Sequence, residues 1–367
     1  MTDRTKLAFL NVVRIVLAVS IVLLHCLGCQ FGFVISEHRF LNLFRYLSVC
    51  GGIQVFFLIS GMMFYLAYYK KLTDDTRQGE IKYFLKGRVI RFLPLVTIAT
   101  LFTFFITVLS CFIFKDTSFS FNQLCIDLFF LGNTLFNGGL ANYNPEIWYL
   151  SILVFCYLVS VFIIVVTKKK KSIWWFLMPL FFGFYIVNSK LGLSYYRVGV
   201  GLYNYFLGFY IMIFLQKFEN FKKPTQITLR IIGALIAMSI FLLFVLQHYS
   251  CEYFGPCEIA FNLIIWIPLF TCLYGLKLNK IFNNKFFNFL GSLSFHIYVL
   301  QHPVDVFYSF IIKCFKFNLH PTLGFVVYYI ALFVISIVSV ILISKLTKVL
   351  KRKFLQRSEM VKPKENI

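Results

Sequence analysis

Ten long runs of apolar residues, each close to the length of a bilayer crossing, constrain the fold of this chain more than any other feature. A transmembrane helix needs about 20 predominantly apolar residues, and only helices and closed barrels satisfy their backbone hydrogen bonds in lipid. The runs predict an all-α integral membrane protein with about ten transmembrane helices. They lie at 7–29, 47–69, 92–114, 146–167, 173–189, 198–216, 228–247, 258–276, 291–313 and 324–346.

The composition excludes an ordinary soluble protein. Apolar residues make up 60% of the 367 residues and charged residues only 14%, whereas soluble domains average about 45–50% and about 25%. Ten spans with short loops leave no room for a second sizeable domain. We therefore predict one polytopic membrane domain over 1–350, followed by a basic cytoplasmic tail over 351–367.

Basic residues divide unevenly between the two sets of predicted loops. With ten spans both termini face the same side, and 28 of the 36 Lys and Arg residues fall in the loops on that side, against seven in the opposite loops. Cytoplasmic loops carry such an excess, so both termini are predicted to be cytoplasmic. The formal net charge of +22 is then mainly a topology signal. The expected surroundings are membrane lipids, and nucleic acid is not an expected partner.

Two ionisable side chains interrupt the first apolar run, and they share one helical face. Arg14 and His25 are eleven residues apart, which is about 20° beyond three full turns and roughly 16 Å along the axis. An ionisable group inside a bilayer points to a functional role. The structural alternative has Arg14 reaching the cytoplasmic interface and His25 hydrogen-bonded in the core.

A cation and a base on one helical face suit an anionic donor with a long reactive arm. A guanidinium such as that of Arg14 donates bidentate hydrogen bonds to phosphate, and an imidazole such as that of His25 can deprotonate a hydroxyl near neutral pH. Coenzyme A thioesters have this shape, because their phosphates lie at one end and the acyl group ends a flexible arm. We therefore predict that Arg14 binds the donor and that His25 acts as the general base.

Five segments of the sequence resemble motifs of the membrane acyltransferase 3 family, whose members acylate bacterial surface and secreted glycans. The resemblance extends along almost the whole chain, and the order and spacing of the segments carry it. They are Arg14-x10-His25, VFFLISGMMFY (55–65), FLKGRVIRFLP (84–94), IWYLS (147–151) and LGSLSFHIYVLQHP (290–303).

Two places depart from the family pattern. Leu153 and Val154 stand where many members have two glutamates, and Gln54 and Val55 precede the phenylalanine pair where an aspartate is often found. The chain resembles a branch without these carboxylates, so no role of those acids is transferred to it. Because the chain ends shortly after the last apolar run, no fused extracytoplasmic domain is expected.

The resemblance implies a multi-pass enzyme of the O-acetyltransferase type in a bacterial inner or plasma membrane. Such an enzyme moves an acyl group, with acetyl the expected one, from cytoplasmic acyl-CoA to a hydroxyl of a cell-surface, exported or lipid-linked glycan. Acetyl-CoA or another acyl-CoA is then a co-substrate, and no tightly bound cofactor or metal is expected. Direct transfer and a transient acyl-histidine both fit the sequence.

Several further residues are candidates for the site. Arg88 and Arg91 are three residues apart on one helical face, and they either anchor the topology or share a phosphate site with Arg14. His302 either assists His25 as a catalytic residue, binds the acceptor, or bonds a backbone carbonyl freed by Pro303. Helix packing is the alternative for Ser60 and interfacial anchoring for Trp148, while Asp305 either orients His302 or has a different partner. The groove and acceptor candidates are Ser60, Trp148, Arg197, Tyr298 and Asp305.

Two other classes of membrane protein have a similar composition. A polysaccharide flippase or exporter does not need an arginine and a histidine on one face of its first span. A glycan polymerase should have a long outer loop with several charges, whereas loop 115–145 holds only Lys115, Asp116 and Asp127. Both classes therefore rank below an acyltransferase.

The ten cysteines are scattered through the chain, and most lie within apolar runs, where a free thiol packs as a small apolar group. Cys251 and Cys257 share one short outer loop, and the sequence leaves open whether they pair.

The predicted topology determines which loops a membrane-impermeant thiol reagent reaches. In a variant without native cysteines, a single cysteine placed in loop 115–145 should be labelled in intact cells, and one placed in loop 168–172 should not. The reason is the excess of basic residues on the terminal side, which keeps that side in the cytoplasm. Labelling of loop 168–172 from outside, measured by a gel mass shift, would contradict cytoplasmic termini.

Overall fold

The structure is a computed structural model of the chain. It describes residues 2–25, 51–73, 80–115, 118–129, 131, 143–167, 172–189, 191–247, 262–317 and 320–360. Within these ranges the regular elements are helices and no strand is present, which confirms the predicted all-α fold for the described part of the chain. Cys251 and Cys257, whose pairing the sequence leaves open, lie outside the described residues.

The described residues form eleven helices of seven or more residues. They are α1 (Leu10–His25), α2 (Gly52–Phe64), α3 (Glu80–Phe114), α4 (Phe121–Leu128), α5 (Ile147–Val166), α6 (Leu177–Asn188), α7 (Leu193–Phe218), α8 (Lys223–Gln247), α9 (Ile267–Leu273), α10 (Lys285–Phe315) and α11 (Pro321–Met360). A π-helical turn (Tyr65–Tyr69) and a short α-helical segment (Lys70–Leu72) continue α2, and another π-helical turn (Asn262–Trp266) precedes α9. Three four-residue helices are Asp3–Lys6, Ser172–Trp175 and Asn279–Phe282.

Many of these helices have the length and apolarity of membrane spans. Among the described residues, five are long and apolar enough to cross a bilayer, and three shorter apolar helices accompany them. Together they are consistent with a multi-pass membrane protein, while the count of ten spans and the cytoplasmic termini stay predictions. The five are Gly52–Leu72, Ile81–Phe114, Ile147–Val166, Leu193–Phe218 and Pro321–Val349, and the three are Leu10–His25, Ile173–Asn188 and Leu263–Leu273.

The predicted run 173–189 is divided in the structure. The four-residue helix Ser172–Trp175 ends before a turn at Phe176, and α6 begins at Leu177. Pro179 accounts for the interruption, because proline has no N–H to donate to the carbonyl four residues earlier and its ring crowds that carbonyl.

The centre of the bundle is α7, which packs against α2, α5 and α6. Its aromatic side chains Tyr205, Phe206 and Phe209 are completely buried. A second set of contacts surrounds α10, which packs against α1, α3 and α11. The contact between α1 and α2 joins the two sets of helices. The candidate site lies between the two sets.

A buried amide fixes the start of α1. The Oδ1 atom of Asn279 accepts the backbone N–H of Phe9 at 3.2 Å, and its Nδ2 atom donates to the carbonyls of Lys6 at 2.9 Å and Leu273 at 2.8 Å. These bonds tie the first helix to the connection between α9 and α10. The position of Arg14, one turn into α1, is therefore set by contacts that are distant in sequence.

Two glycines allow α2 and α7 to pack backbone against backbone. A Cβ atom at Gly61 would overlap the carbonyl oxygen of Tyr205, and one at Gly208 would overlap the carbonyl oxygen of Leu58. Small residues allow such close approach of helices in membranes. By contrast, a Cβ atom at Gly87, in α3, would meet nothing within 4 Å.

Replacing Gly61 with alanine should destabilise the protein, whereas the same change at Gly87 should not. Overpacking of this kind typically costs about 1–3 kcal/mol, and at the unobstructed helical position alanine is favoured over glycine by up to about 1 kcal/mol. The measurement is thermal unfolding of both purified variants in detergent. Equal unfolding temperatures for Gly61→Ala and the wild type would contradict the backbone contact.

Candidate functional site

One cavity lies where five helices meet. It has a volume of about 190 Å³ and lies among α1, α2, α3, α5 and α10. Polar and aromatic side chains make up much of its wall, although the surrounding helices are apolar. The polar and aromatic lining residues are Arg14, Phe56, Ser60, Tyr68, Arg88, Arg91, Phe92, Tyr149, Tyr157, Ser294, Phe295 and Tyr298.

Three arginines on two helices converge on this cavity. Arg14 enters from α1, and Arg88 and Arg91 enter from α3. Within the described part of the chain, no carboxylate forms an ion pair with any of the three. Burying like charges together without a counter-charge is unfavourable, so the cavity has the electrostatic character of a site for a polyanion.

Aromatic rings enclose the Arg88 guanidinium. Its Cζ atom lies 4.6 Å from the ring centroid of Tyr68, 5.1 Å from that of Tyr157 and 5.5 Å from that of Phe84. The Nε atom is buried and has no hydrogen-bond partner. Attraction between a cation and a ring face holds the group in place without cancelling its charge, which leaves Arg88 available to an anion.

Three touching rings line the cavity at the end that lies toward the start of α5. The ring centroids of Phe56, Tyr149 and Tyr298 are separated by 5.7 Å to 6.3 Å. The Tyr298 hydroxyl donates to the backbone carbonyl of Glu146 at 3.0 Å. The Ser60 hydroxyl donates its hydrogen bond to the Phe56 carbonyl. The Tyr149 hydroxyl is therefore the donor in its 3.3 Å hydrogen bond with Ser60 Oγ.

Beyond these rings, His25 meets a buried carboxylate. Its Nε2 atom is 3.5 Å from Oε1 of Glu146, and the Glu146 side chain is only 6% exposed whereas that of His25 is 48% exposed. Neither residue lines the arginine cavity. Arg14 and His25 thus both face the side of α1 that meets α5 and α10, one on each side of the ring triangle.

The backbone around Glu146 is anchored to α10 and α4. The side-chain amide of Asn144 donates to the carbonyl of Val299 at 3.1 Å, which is the carbonyl that Pro303 leaves without a helical partner. The backbone N–H of Tyr143 donates to the buried Asp127 carboxylate at 2.8 Å. Desolvation raises the pKa of Asp127 to about 6, so the accepting carboxylate predominates above that pH.

Other predicted site residues gather around His25 and Glu146. His302 and Asp305, on α10, lie within electrostatic range of His25. Among the described residues, the carbonyl that Pro303 frees accepts from Asn144, and no hydrogen bond joins it to His302. The Arg197 guanidinium stacks over the Trp148 ring with its Cζ atom 5.1 Å from the centroid.

His296 is a buried core residue with a structural role. It is buried, and its Nδ1 atom is 2.7 Å from Oγ of Ser339 on α11. The contact helps to hold α10 against α11 and takes no part in the cavity wall.

Among the site residues that received no assignment from the sequence are Glu146, Tyr68 and Tyr157. Glu146 stood at the start of a predicted span, where a carboxylate is a functional signal, but nothing local related it to His25. Tyr68 and Tyr157 belong to apolar runs that are rich in aromatic residues. Their contact with Arg88 depends on the packing of α3 between α2 and α5.

The sequence matches the profile of one protein family, described as an acyltransferase domain (Acyl_transf_3), over residues 7–345. The chain belongs to this acyltransferase family. The match spans nearly the whole chain and confirms the resemblance drawn from the sequence motifs. No curated protein and no solved structure matches the chain.

The family and the helices together define a membrane acyltransferase. The matched region contains the arginine cavity as well as His25 and Glu146. An acyltransferase needs a place for an acyl donor, an acceptor and a proton acceptor between them. Among the described residues, the cationic cavity and the His25–Glu146 pair are two polar groupings within the matched region.

Proposed function

We propose that the acyltransferase takes its acyl group from a coenzyme A thioester whose phosphates bind in the arginine cavity. The observation that carries the proposal is the convergence of Arg14, Arg88 and Arg91 without a described carboxylate partner. Guanidinium groups stay charged and bind phosphate with two parallel hydrogen bonds. A bound polyanion supplies the missing counter-charge.

The size of the cavity indicates how such a donor would lie. About 190 Å³ accommodates phosphate groups and part of the pantetheine arm, but not the entire coenzyme. The predicted topology places Arg14 in the cytoplasmic half of α1, so the adenosine part would extend toward the cytoplasm. The thioester would then point along α1 toward His25.

His25 would activate the acceptor. If Glu146 accepts the proton on Nε2, the Nδ1 lone pair is the base, because the bond to one ring nitrogen selects the tautomer. Nδ1 takes the proton of an acceptor hydroxyl, and the hydroxyl oxygen bonds to the thioester carbonyl carbon. The carbon–sulfur bond breaks, and the imidazolium returns the proton to the leaving coenzyme A thiolate. An acyl-histidine route would use the same atoms in two steps.

A glycan hydroxyl is the proposed acceptor. His25 is accessible, and Trp148 with Arg197 lies beside the same end of α5. An aromatic ring and a cation at a partly exposed position suit the apolar face and the hydroxyls of a sugar. With the resemblance to acyltransferases of bacterial surface glycans, these features favour an O-acetyltransferase of the bacterial cell membrane.

The substitution Arg14→Lys should weaken donor binding without unfolding the protein. Lysine keeps the charge but loses the bidentate geometry, so the dissociation constant for acetyl-CoA should rise by about tenfold, the scale of one lost charged hydrogen bond. The measurement is a titration of purified full-length protein with acetyl-CoA. Lys6→Arg, at a position that pairs with Glu219 outside the cavity, is the control. Unchanged affinity in Arg14→Lys would remove Arg14 from the donor site.

The substitution His25→Ala should abolish glycan acylation while acetyl-CoA still binds. General-base catalysis contributes about 10²–10⁴-fold, and alanine is well tolerated in a helix. Glu146→Gln should reduce acylation less, because an amide can keep the hydrogen bond but not the charge. Acyl content of the surface glycan is measured together with the abundance of the protein in the membrane. Normal acylation per molecule in His25→Ala would exclude the catalytic role.

A further inference from the structure

Among the described residues, three aromatic side chains connect the wall of the arginine cavity to the His25–Glu146 pair. Phe56, Tyr149 and Tyr298 line the cavity, while His25 and Glu146 do not. Tyr298 also bonds the backbone of Glu146, whose carboxylate meets His25. The three rings therefore stand between the cationic chamber and the proton acceptor.

The three rings are packed too closely to leave a gap between them. Their centroids lie 6.1 Å apart for Phe56 and Tyr149, 6.3 Å for Phe56 and Tyr298, and 5.7 Å for Tyr149 and Tyr298. These are distances of rings in direct contact. A group that passes between these rings toward His25 must displace at least one of them.

The three rings differ in how firmly they are held. The Tyr149 hydroxyl is bonded to Ser60 and the Tyr298 hydroxyl to the Glu146 carbonyl, and both side chains are buried. Phe56 has no polar atom to tether it and is only half-buried. Rotation of the Phe56 side chain is thus the least costly way to open the path.

We propose that Phe56, Tyr149 and Tyr298 form a constriction that selects the acyl group by its width. This inference rests on the proposed acyl-CoA donor. A slender group such as acetyl passes when Phe56 alone rotates, whereas a branched acyl group needs one of the tethered tyrosines to move as well. The constriction therefore restricts the acyltransferase to unbranched acyl groups, and these three residues determine the specificity.

The constriction is tested by shortening the mobile ring. Membranes from cells that produce the full-length protein are incubated with radiolabelled acetyl-CoA or isobutyryl-CoA, and label in the glycan fraction is counted per molecule of protein. In Phe56→Ala the ratio of isobutyryl to acetyl transfer should rise by about tenfold or more, the usual discrimination of an apolar pocket for small groups. An unchanged ratio would overturn the constriction.

A matched control and a milder variant complete the test. Met63→Ala enlarges the same cavity away from the three rings, and its transfer ratio should equal that of the wild type. A rise in Met63→Ala equal to that in Phe56→Ala would also overturn the constriction. If Phe56→Ala lowers membrane abundance, Phe56→Leu provides the same comparison with a smaller change of volume.

The same assay separates this inference from the proposed function. If the wild type transfers no label from acetyl-CoA, while the acylated glycan is present in the cells, the proposed donor fails and the constriction fails with it. If the wild type transfers acetyl and Phe56→Ala keeps the wild-type ratio, only the constriction fails. Acetyl transfer by the wild type, together with a raised ratio of isobutyryl to acetyl transfer in Phe56→Ala, supports both proposals.

Discussion

The mutual repulsion of three guanidinium groups inside an apolar helix bundle is the interaction on which the rest of the site depends. Charges in such surroundings are expensive, and Arg14, Arg88 and Arg91 have no described carboxylate to offset them. Part of the compensation comes from rings, as around Arg88. The remaining positive charge is not compensated by any described carboxylate, which gives the cavity a positive electrostatic potential.

Helix packing that is rigid elsewhere makes this arrangement possible. The helix α2 is locked to α7 through Gly61 and Gly208, and α7 is buried along most of its length. The start of α1 is held by Asn279. Helices fixed at such contacts hold the three cations near one another against their repulsion.

The sequence predicted the parts of the site that follow from local periodicity. Arg14 and His25 share a face because eleven residues make three turns, and Arg88 and Arg91 share a face because they are three apart. The apolar runs predicted the helices, although Pro179 divided one of them. These features depend on neighbours along the chain, which a single sequence displays.

The rest of the site depends on contacts between distant segments. Glu146 reaches His25 only because Asn144 and Tyr298 tie the start of α5 to α10, and no periodicity encodes those bonds. The ring triangle combines residues of α2, α5 and α10, each of which is unremarkable among the many aromatic residues of its run. Such pairings require the tertiary structure.

The π-helical turn at Tyr65–Tyr69 determines the direction in which the residues after α2 point. In a regular α-helix Met63 and Tyr68, five residues apart, would point about 140° away from each other. A π-helical turn is wider, and both residues line the cavity. The turn thus accommodates one additional residue. It shifts the angular position, around the helix axis, of the residues that follow. Insertions and deletions in this turn are therefore constrained, because a change of one residue would turn Tyr68 away from Arg88 and leave the helix otherwise intact.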